Sequence, residues 1–257
     1  MRVKDVEWWI EPSILSVKDL VSEYVIMDAS SDNTPLIIER LKKEHNLNII
    51  HIIDYDTDIA GVSQRGLEKT TCRWILRWDG DFVMHEDGVS YIRNLINQLD
   101  RGRYYSIYWP HILLVGDLFH TSPHGPFHIE HWLNTYTPGM KFIKIPHGFE
   151  YLYVPTFTAY RIEIKRPLSF HLTIRPPQQM LLRKYRWEYY TKEIQKPFDE
   201  YVRERVLEEY NTTSIDEAAK KYMNDLLREL KPYDKDRYLD YPRLLKEYVY
   251  KKFKIVL

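Results

Sequence analysis

Thr71-Cys72-Arg73-Trp74-Ile75-Leu76-Arg77-Trp78-Asp79-Gly80-Asp81-Phe82 is the stretch on which the fold turns. Its apolar run from Trp74 to Trp78 has the length of a buried strand and stops at two acids flanking a glycine. α/β proteins bind their ligands at the carboxyl ends of such strands. Gly80 lets the backbone bend sharply and approach a neighbour closely, so both carboxylates can aim at one point. Paired carboxylates are hard oxygen donors, suited to Mg²⁺ or Mn²⁺ carrying a diphosphate. Asp-Gly between apolar runs is equally a hairpin signal. The upstream segments decide between the two.

Met1 to Lys4 reads as the stump of a strand, and Ser13 to Ser22 carries helical spacing through Ile14, Leu15, Val17, Leu20 and Val21. Tyr24 to Asp28 is an apolar strand ending on an acid, followed by the polar turn Ala29-Ser30-Ser31-Asp32-Asn33. Thr34-Pro35 supplies an N-cap and a proline for a helix running to about His45. Asn48 to Ile53 is a third strand, and a helix from Val62 to Lys69 leads into Trp74–Trp78. Strands alternating with helices over short connections predict a parallel sheet covered on both faces. Right-handed crossovers then carry Asp28, Asp32, Asp79 and Asp81 to one crevice.

Composition narrows the function. Lys plus Arg and Asp plus Glu are equal at 37, so no basic footprint argues for nucleic acid. The single cysteine, Cys72, excludes an intrachain disulfide and a cysteine-built metal site. With no apolar run long enough to span a bilayer and no signal peptide, the chain reads as soluble and cytoplasmic. No glycine-rich dinucleotide motif or phosphate loop occurs.

The segments Met1-Arg2-Val3-Lys4-Asp5-Val6-Glu7, Ser16 to Glu23, Val25 to Thr34, Gly66 to Thr70 and Trp74 to Asp81 together resemble the family 2 glycosyltransferases of the GT-A fold. The likeness covers about the first ninety residues in order and spacing. It departs at Ala29, at Ser30 in place of a glycine, and at Ser63-Gln64 in place of an Arg-Asn pair. The family's first strand begins several residues earlier, so here either that strand is short or the start is internal. The resemblance implies a GT-A domain over 1–175, with a donor half (1–100) and an acceptor half (101–175), followed by a helical extension over 176–257.

What the resemblance implies for the site is specific. Asp28 takes the nucleobase, with Ser30, Asp32, Gln64, Arg77 and Asp79 along the nucleotide sugar, a UDP- or GDP-linked donor. Asp79 and Asp81 hold Mn²⁺ or Mg²⁺, and His171, on a late strand, is placed as third ligand. A divalent ion neutralises the leaving diphosphate while the sugar becomes oxocarbenium-like. An inverting reaction needs a carboxylate to deprotonate the acceptor hydroxyl of a glycan, lipid or protein. Glu130 and Glu150 are the candidates, with Asp117 behind them. Asp28 and Asp32 also suit plain turn-forming and capping roles. Arg77 on a buried strand calls for a partner, an acid or the diphosphate.

Between 101 and 175, strands are expected at Tyr104–Trp109, His111–Val115, Lys141–Ile145 and Ser169–Ile174. Seven of the ten histidines lie from His111 to His171, yet Pro123, Gly125 and Pro126 break any helix aligning His120, His124, His128 and His131. An acceptor-binding loop is the better reading of that stretch. Beyond Pro176 the sequence is charged and helical, with a capping box at Ser214-Ile215-Asp216-Glu217, and it suits packing on the core or self-association into a homo-oligomer. The basic, amphipathic segment 243–257 either docks its apolar stripe on the core or touches a membrane peripherally. Two alternatives stand beside the transferase: a non-catalytic nucleotide- or carbohydrate-binding module, and a sugar nucleotidyltransferase. The latter calls for a glycine-rich basic loop that the sequence lacks.

Overall fold

The computed structural model describes residues 1–146, 150–155, 157 and 159–257, and their side chains apart from those of Glu130 and His131. The first 76 residues alternate as their apolar spacing dictates: β1 (Arg2–Val3), α1 (Ile10–Ser16), β2 (Tyr24–Asp28), α2 (Thr34–Glu44), β3 (Ile49–Ile53), α3 (Ile59–Glu68) and β4 (Trp74–Leu76). β1, β2 and β3 form a parallel sheet in that order. Val3 lies opposite Asp28, and Asp28 opposite Ile53, so the three strands end together at one edge.

Local chemistry shifts two boundaries. α1 stops at Ser16, and the apolar residues after it belong to turns closed by Leu20 N and Val21 N on Val17 O. α2 starts at Thr34 with Asn33 as its N-cap, so Thr34 is inside the helix and its hydroxyl accepts from Val6 N at 3.0 Å instead of capping.

The remaining strands are β5 (Phe82–Met84), β6 (Tyr104–Val115), β7 (His120–Thr121), β8 (Phe127–Thr135), β9 (Lys141–Lys144), β10 (Glu150–Tyr153), β11 (Ala159–Glu163), β12 (Ser169–Thr173) and β13 (Lys231–Pro232), with α4 (Glu86–Gln98) between β5 and β6. β6 runs straight through Pro110, merging two expected strands into one. It is the spine of a mixed sheet: β8 pairs with it antiparallel, β11 and β12 parallel, and β5 closes on β12 antiparallel. The histidine-rich stretch anticipated as a loop is partly strand: β7 takes His120 and β8 takes His128 and His131, with His124 in the turn between them.

Among the described residues β4 pairs with β8 alone, antiparallel, rather than extending the parallel sheet. It faces β2 across a cavity of about 340 Å³ walled by Val17, Leu20, Tyr24, Val25, Trp74 and Leu76. The main core lies behind it, with Ile10, Ile14, Ile26, Ile38 and Trp109 sealed from solvent.

In the tail, α5 (Pro177–Thr191), α6 (Phe198–Tyr210) and α7 (Ile215–Glu229) pack through Leu181, Tyr185, Val202, Val206 and Ala218. Ser214 caps α7 by accepting from Glu217 N at 3.3 Å. α8 (Arg243–Phe253) returns to the first helix: Leu245 and Val249 are fully buried, Phe253 stacks on Trp8 at 5.5 Å, and Tyr248 donates to Trp8 O. The apolar stripe of that segment is therefore spent on the core. No helix among the described residues is long and apolar enough to cross a membrane.

Candidate functional site

The acidic turn joins β4 to β5. Arg77 N donates to Trp132 O at 2.8 Å, which keeps the chain extended beyond β4, and its guanidinium lies over the Trp132 ring. The turn is then fastened by Ser13 Oγ and Phe82 N, both donating to Asp79 O. Gly80 is needed for close approach: a Cβ there would come within 2.9 Å of Val6 Cγ2 and 3.0 Å of Val3 Cγ1. Backbone, not side chain, thus packs against the first loop.

The two carboxylates serve different surroundings. Asp79 lines the cavity beside Met1, Arg2 and Glu150, and its charge acts on the buried Met1 ammonium. Asp81, only 6% exposed, faces β12, with His171 Nε2 at 3.6 Å and Arg175 Nη2 at 3.4 Å from its Oδ2. Burial alone would raise its pKa; the charge of His171, then of Arg175 and Arg183, holds the carboxyl well below the usual range. The turn and β12 are locked by Leu172 N donating to Asp81 O at 2.8 Å. His171 is set edge-on to Phe82, with ring centroids 4.5 Å apart.

The Asp28 carboxylate turns inward. It is closed to solvent, accepts Ser30 N on Oδ1 at 2.7 Å, and meets His51 Nε2 with Oδ2 at 3.0 Å. Burial disfavours its charge, yet the hydrogen bonds from His51 and Ser30 outweigh that and lower its pKa. Ser30 and Asp32 zip the following turn to the first loop: Ser30 Oγ accepts Asp5 N, and Asp32 accepts Glu7 N and Thr34 N. The turn-forming chemistry of these residues is what this arrangement uses.

On α3, Ser63 donates to Glu150 Oε2, whose other oxygen lies 3.5 Å from Arg2 Nε. Gln64 accepts Phe142 N at 2.9 Å and donates to Glu68, tying α3 to β9. The Glu130 backbone is set opposite Trp109 in β8, while its side chain lies outside the described residues, as do His147, Gly148 and Phe149 preceding Glu150. Asp117 is taken by His120 Nδ1 and Phe119 N.

Sequence reasoning passed over Arg175 and His51. Arg175 follows β12 and bridges Asp5 O and Asp81, with its Nε buried and without a hydrogen-bond partner. Its only advance signal was a cation just past His171. Among the described residues no three His, Cys, Asp or Glu side chains converge well enough to hold a metal ion. Asp81 and His171 offer two donors, which suits a divalent ion drawing its remaining ligands from a diphosphate and water.

Three parallel strands ending on a shared edge, with a buried acid between His171 and Arg175 after β4, define an α/β protein with its candidate site at the strand ends. The chain belongs to glycosyl transferase family 2, whose model matches residues 4–164, more than half of its length. No curated protein matches it. Among solved structures it is similar to S. aureus TarS at 11% identity and TM-score 0.47, covering 99% of this chain and 45% of that one. It is also similar to S. aureus TarS 1-349 in complex with UDP-GlcNAc, at 12% identity and TM-score 0.46 over 82% of this chain and 71% of that one. The chain thus spans under half the length of the longer TarS chain.

Proposed function

We propose that the protein transfers a sugar from a UDP- or GDP-linked donor to a hydroxyl of a glycan, lipid-linked or protein acceptor. The observation that carries this reading is the Asp79-Gly80-Asp81 turn set against His171 and Arg175 in a family 2 chain. Negative charge develops on the departing diphosphate, and positive groups fixed in advance stabilise it without reorganisation. Arg175 and Arg183, whose charges both bear on Asp81, provide such a field. Asp81 and His171 would hold Mn²⁺ or Mg²⁺, which supplies Lewis-acid stabilisation of the leaving group when bound. Asp79, on the cavity side, is assigned to the nucleoside portion. Asp28, Ser30 and Asp32 shape the loop beside the donor rather than presenting free oxygens to it. The acceptor proton goes to Glu130 or Glu150. Calorimetry with UDP and GDP, with and without Mn²⁺, tests the reading: metal-strengthened binding of either nucleotide supports it. Absence of binding under both conditions removes it.

A further inference from the structure

His51 stands at mid-strand in β3, and its side chain is nearly buried between two carboxylates. Nε2 lies 3.0 Å from Asp28 Oδ2, and Nδ1 lies 2.9 Å from Glu39 Oε1. A neutral imidazole carries one N–H and one lone pair, so it would turn that lone pair toward a carboxylate. Only the imidazolium donates to both. The groups bearing on this bridge are Asp28 from β2 and Glu39 from α2, with Lys42 and Lys43 of α2 acting on Glu39.

From Asp28 the hydrogen bonds continue without a break to the acidic turn. Ser30 N donates to Asp28 Oδ1 at 2.7 Å, and Asp5 N donates to Ser30 Oγ at 2.9 Å. Asp5 O accepts from Arg175 Nη1 at 2.8 Å, and Arg175 Nη2 lies 3.4 Å from Asp81 Oδ2. Asp5 has a positive φ of 51°, a conformation a non-glycine residue keeps only when its surroundings fix it. Ser31 N, donating to Asp5 Oδ1 at 2.7 Å, is the second clamp. The loop after β1 is therefore held in its unusual shape by the turn that Asp28 organises, and it supports Arg175 in turn.

We infer that His51 is a positioning residue: its protonated, doubly bonded form fixes Asp28, and through Ser30, Asp5 and Arg175 it sets the geometry of the donor crevice. The inference rests on the donor reading above for its consequence, not for the relay itself. Hydrogen bonding to Asp28, opposed by burial and reinforced by Glu39, raises His51 above its ordinary value of 6.5. Because the folded value is raised, the bridge is complete below pH 6.5 and is lost as pH climbs through that higher value. Loss of the proton leaves a lone pair against a carboxylate, and the turn and Asp5 loosen together.

The test titrates UDP and GDP calorimetrically from acid to alkaline pH in the natural protein and in His51→Gln, a side chain that donates but does not titrate. NMR follows the His51 ring and the Asp5 amide over the same range without ligand. In the natural protein, nucleotide affinity should drop about fivefold as His51 loses its proton, a modest inter-site coupling. His51→Gln should remove the His51-linked part of that drop, and the Asp5 amide should titrate with the midpoint of the His51 ring. Glu39→Gln, at a half-exposed position, should lower that midpoint and covers the case in which His51→Gln fails to fold. An Asp5 amide blind to the His51 titration overturns the inference, as does an undiminished pH slope in His51→Gln. If neither nucleotide binds at any pH the donor reading fails, and the Asp5 amide still decides the relay.

Discussion

The Arg175 guanidinium lies 3.4 Å from Asp81 Oδ2, and both side chains are largely buried, 17% and 8% exposed. An acid just before β5 and a base just after β12, two neighbouring antiparallel strands, thus neutralise each other where a diphosphate is proposed to bind. Removing the base strands a buried carboxylate.

Arg175→Met should cost about 2 kcal/mol in urea unfolding, the scale for leaving one member of a mostly buried pair alone. The pH dependence has a definite sign. Asp81 is depressed in the folded state, so its stabilisation is complete above its unfolded value of 3.8 and is lost as pH falls through the folded one. Losing Arg175 removes part of that depression, so the acid limb of the stability curve should move to higher pH. A double-mutant cycle with Asp81→Asn isolates the pair.

Asp79 and Asp81 should not behave alike. Asp81→Asn should reduce metal-stimulated donor hydrolysis by about a hundredfold or more, the loss seen when a preorganised electrostatic contact is removed. Asp79→Asn should act mainly on nucleoside affinity, because its carboxylate lies on the cavity side near Met1 and Glu150. Steady-state kcat and KM for the two variants separate these effects.

The β2, β3 and β4 strands were legible because each is a short apolar run punctuated by turn residues, and the acidic turn because two carboxylates flank Gly80. The inward turn of Asp28 was not. Its partner His51 is 23 residues away, on a strand where one polar residue among isoleucines looks like ordinary alternation. Gln64 read as a donor contact because of where it falls in the family pattern, whereas its carbonyl is taken by Phe142 N from a strand 78 residues on. The strands expected at Tyr104–Trp109 and His111–Val115 are one, since β6 passes through Pro110 and a proline is tolerated wherever its missing N–H is not required. Such pairings depend on tertiary register, which a local pattern does not encode.

Glu130→Gln and Glu150→Gln distinguish the two candidate bases. The variant that removes the true base should lower kcat by about 10²–10⁴-fold with donor binding preserved. Glu150 is already engaged by Ser63 and by Arg2, so Glu150→Gln should in addition weaken the tie between α3 and β1. A thermal melt reports that second effect independently of transfer.

Leu245 and Val249 of α8 have no solvent exposure, Lys252 lies over the Trp8 ring, and the Tyr248 hydroxyl holds Trp8 O. Leu245→Ala should therefore cost about 3 kcal/mol in chemical denaturation, the range for a buried leucine truncated in a packed core. The same burial leaves the helix without an apolar face for lipid, so the natural protein should stay in the supernatant when anionic vesicles are sedimented. Substituting Leu245 and Val249 together should free the helix, whose lysines then favour the anionic surface, and shift protein into the pellet. Sedimentation of the natural protein with vesicles would mean that α8 leaves the core far more readily than its contacts with Trp8 allow.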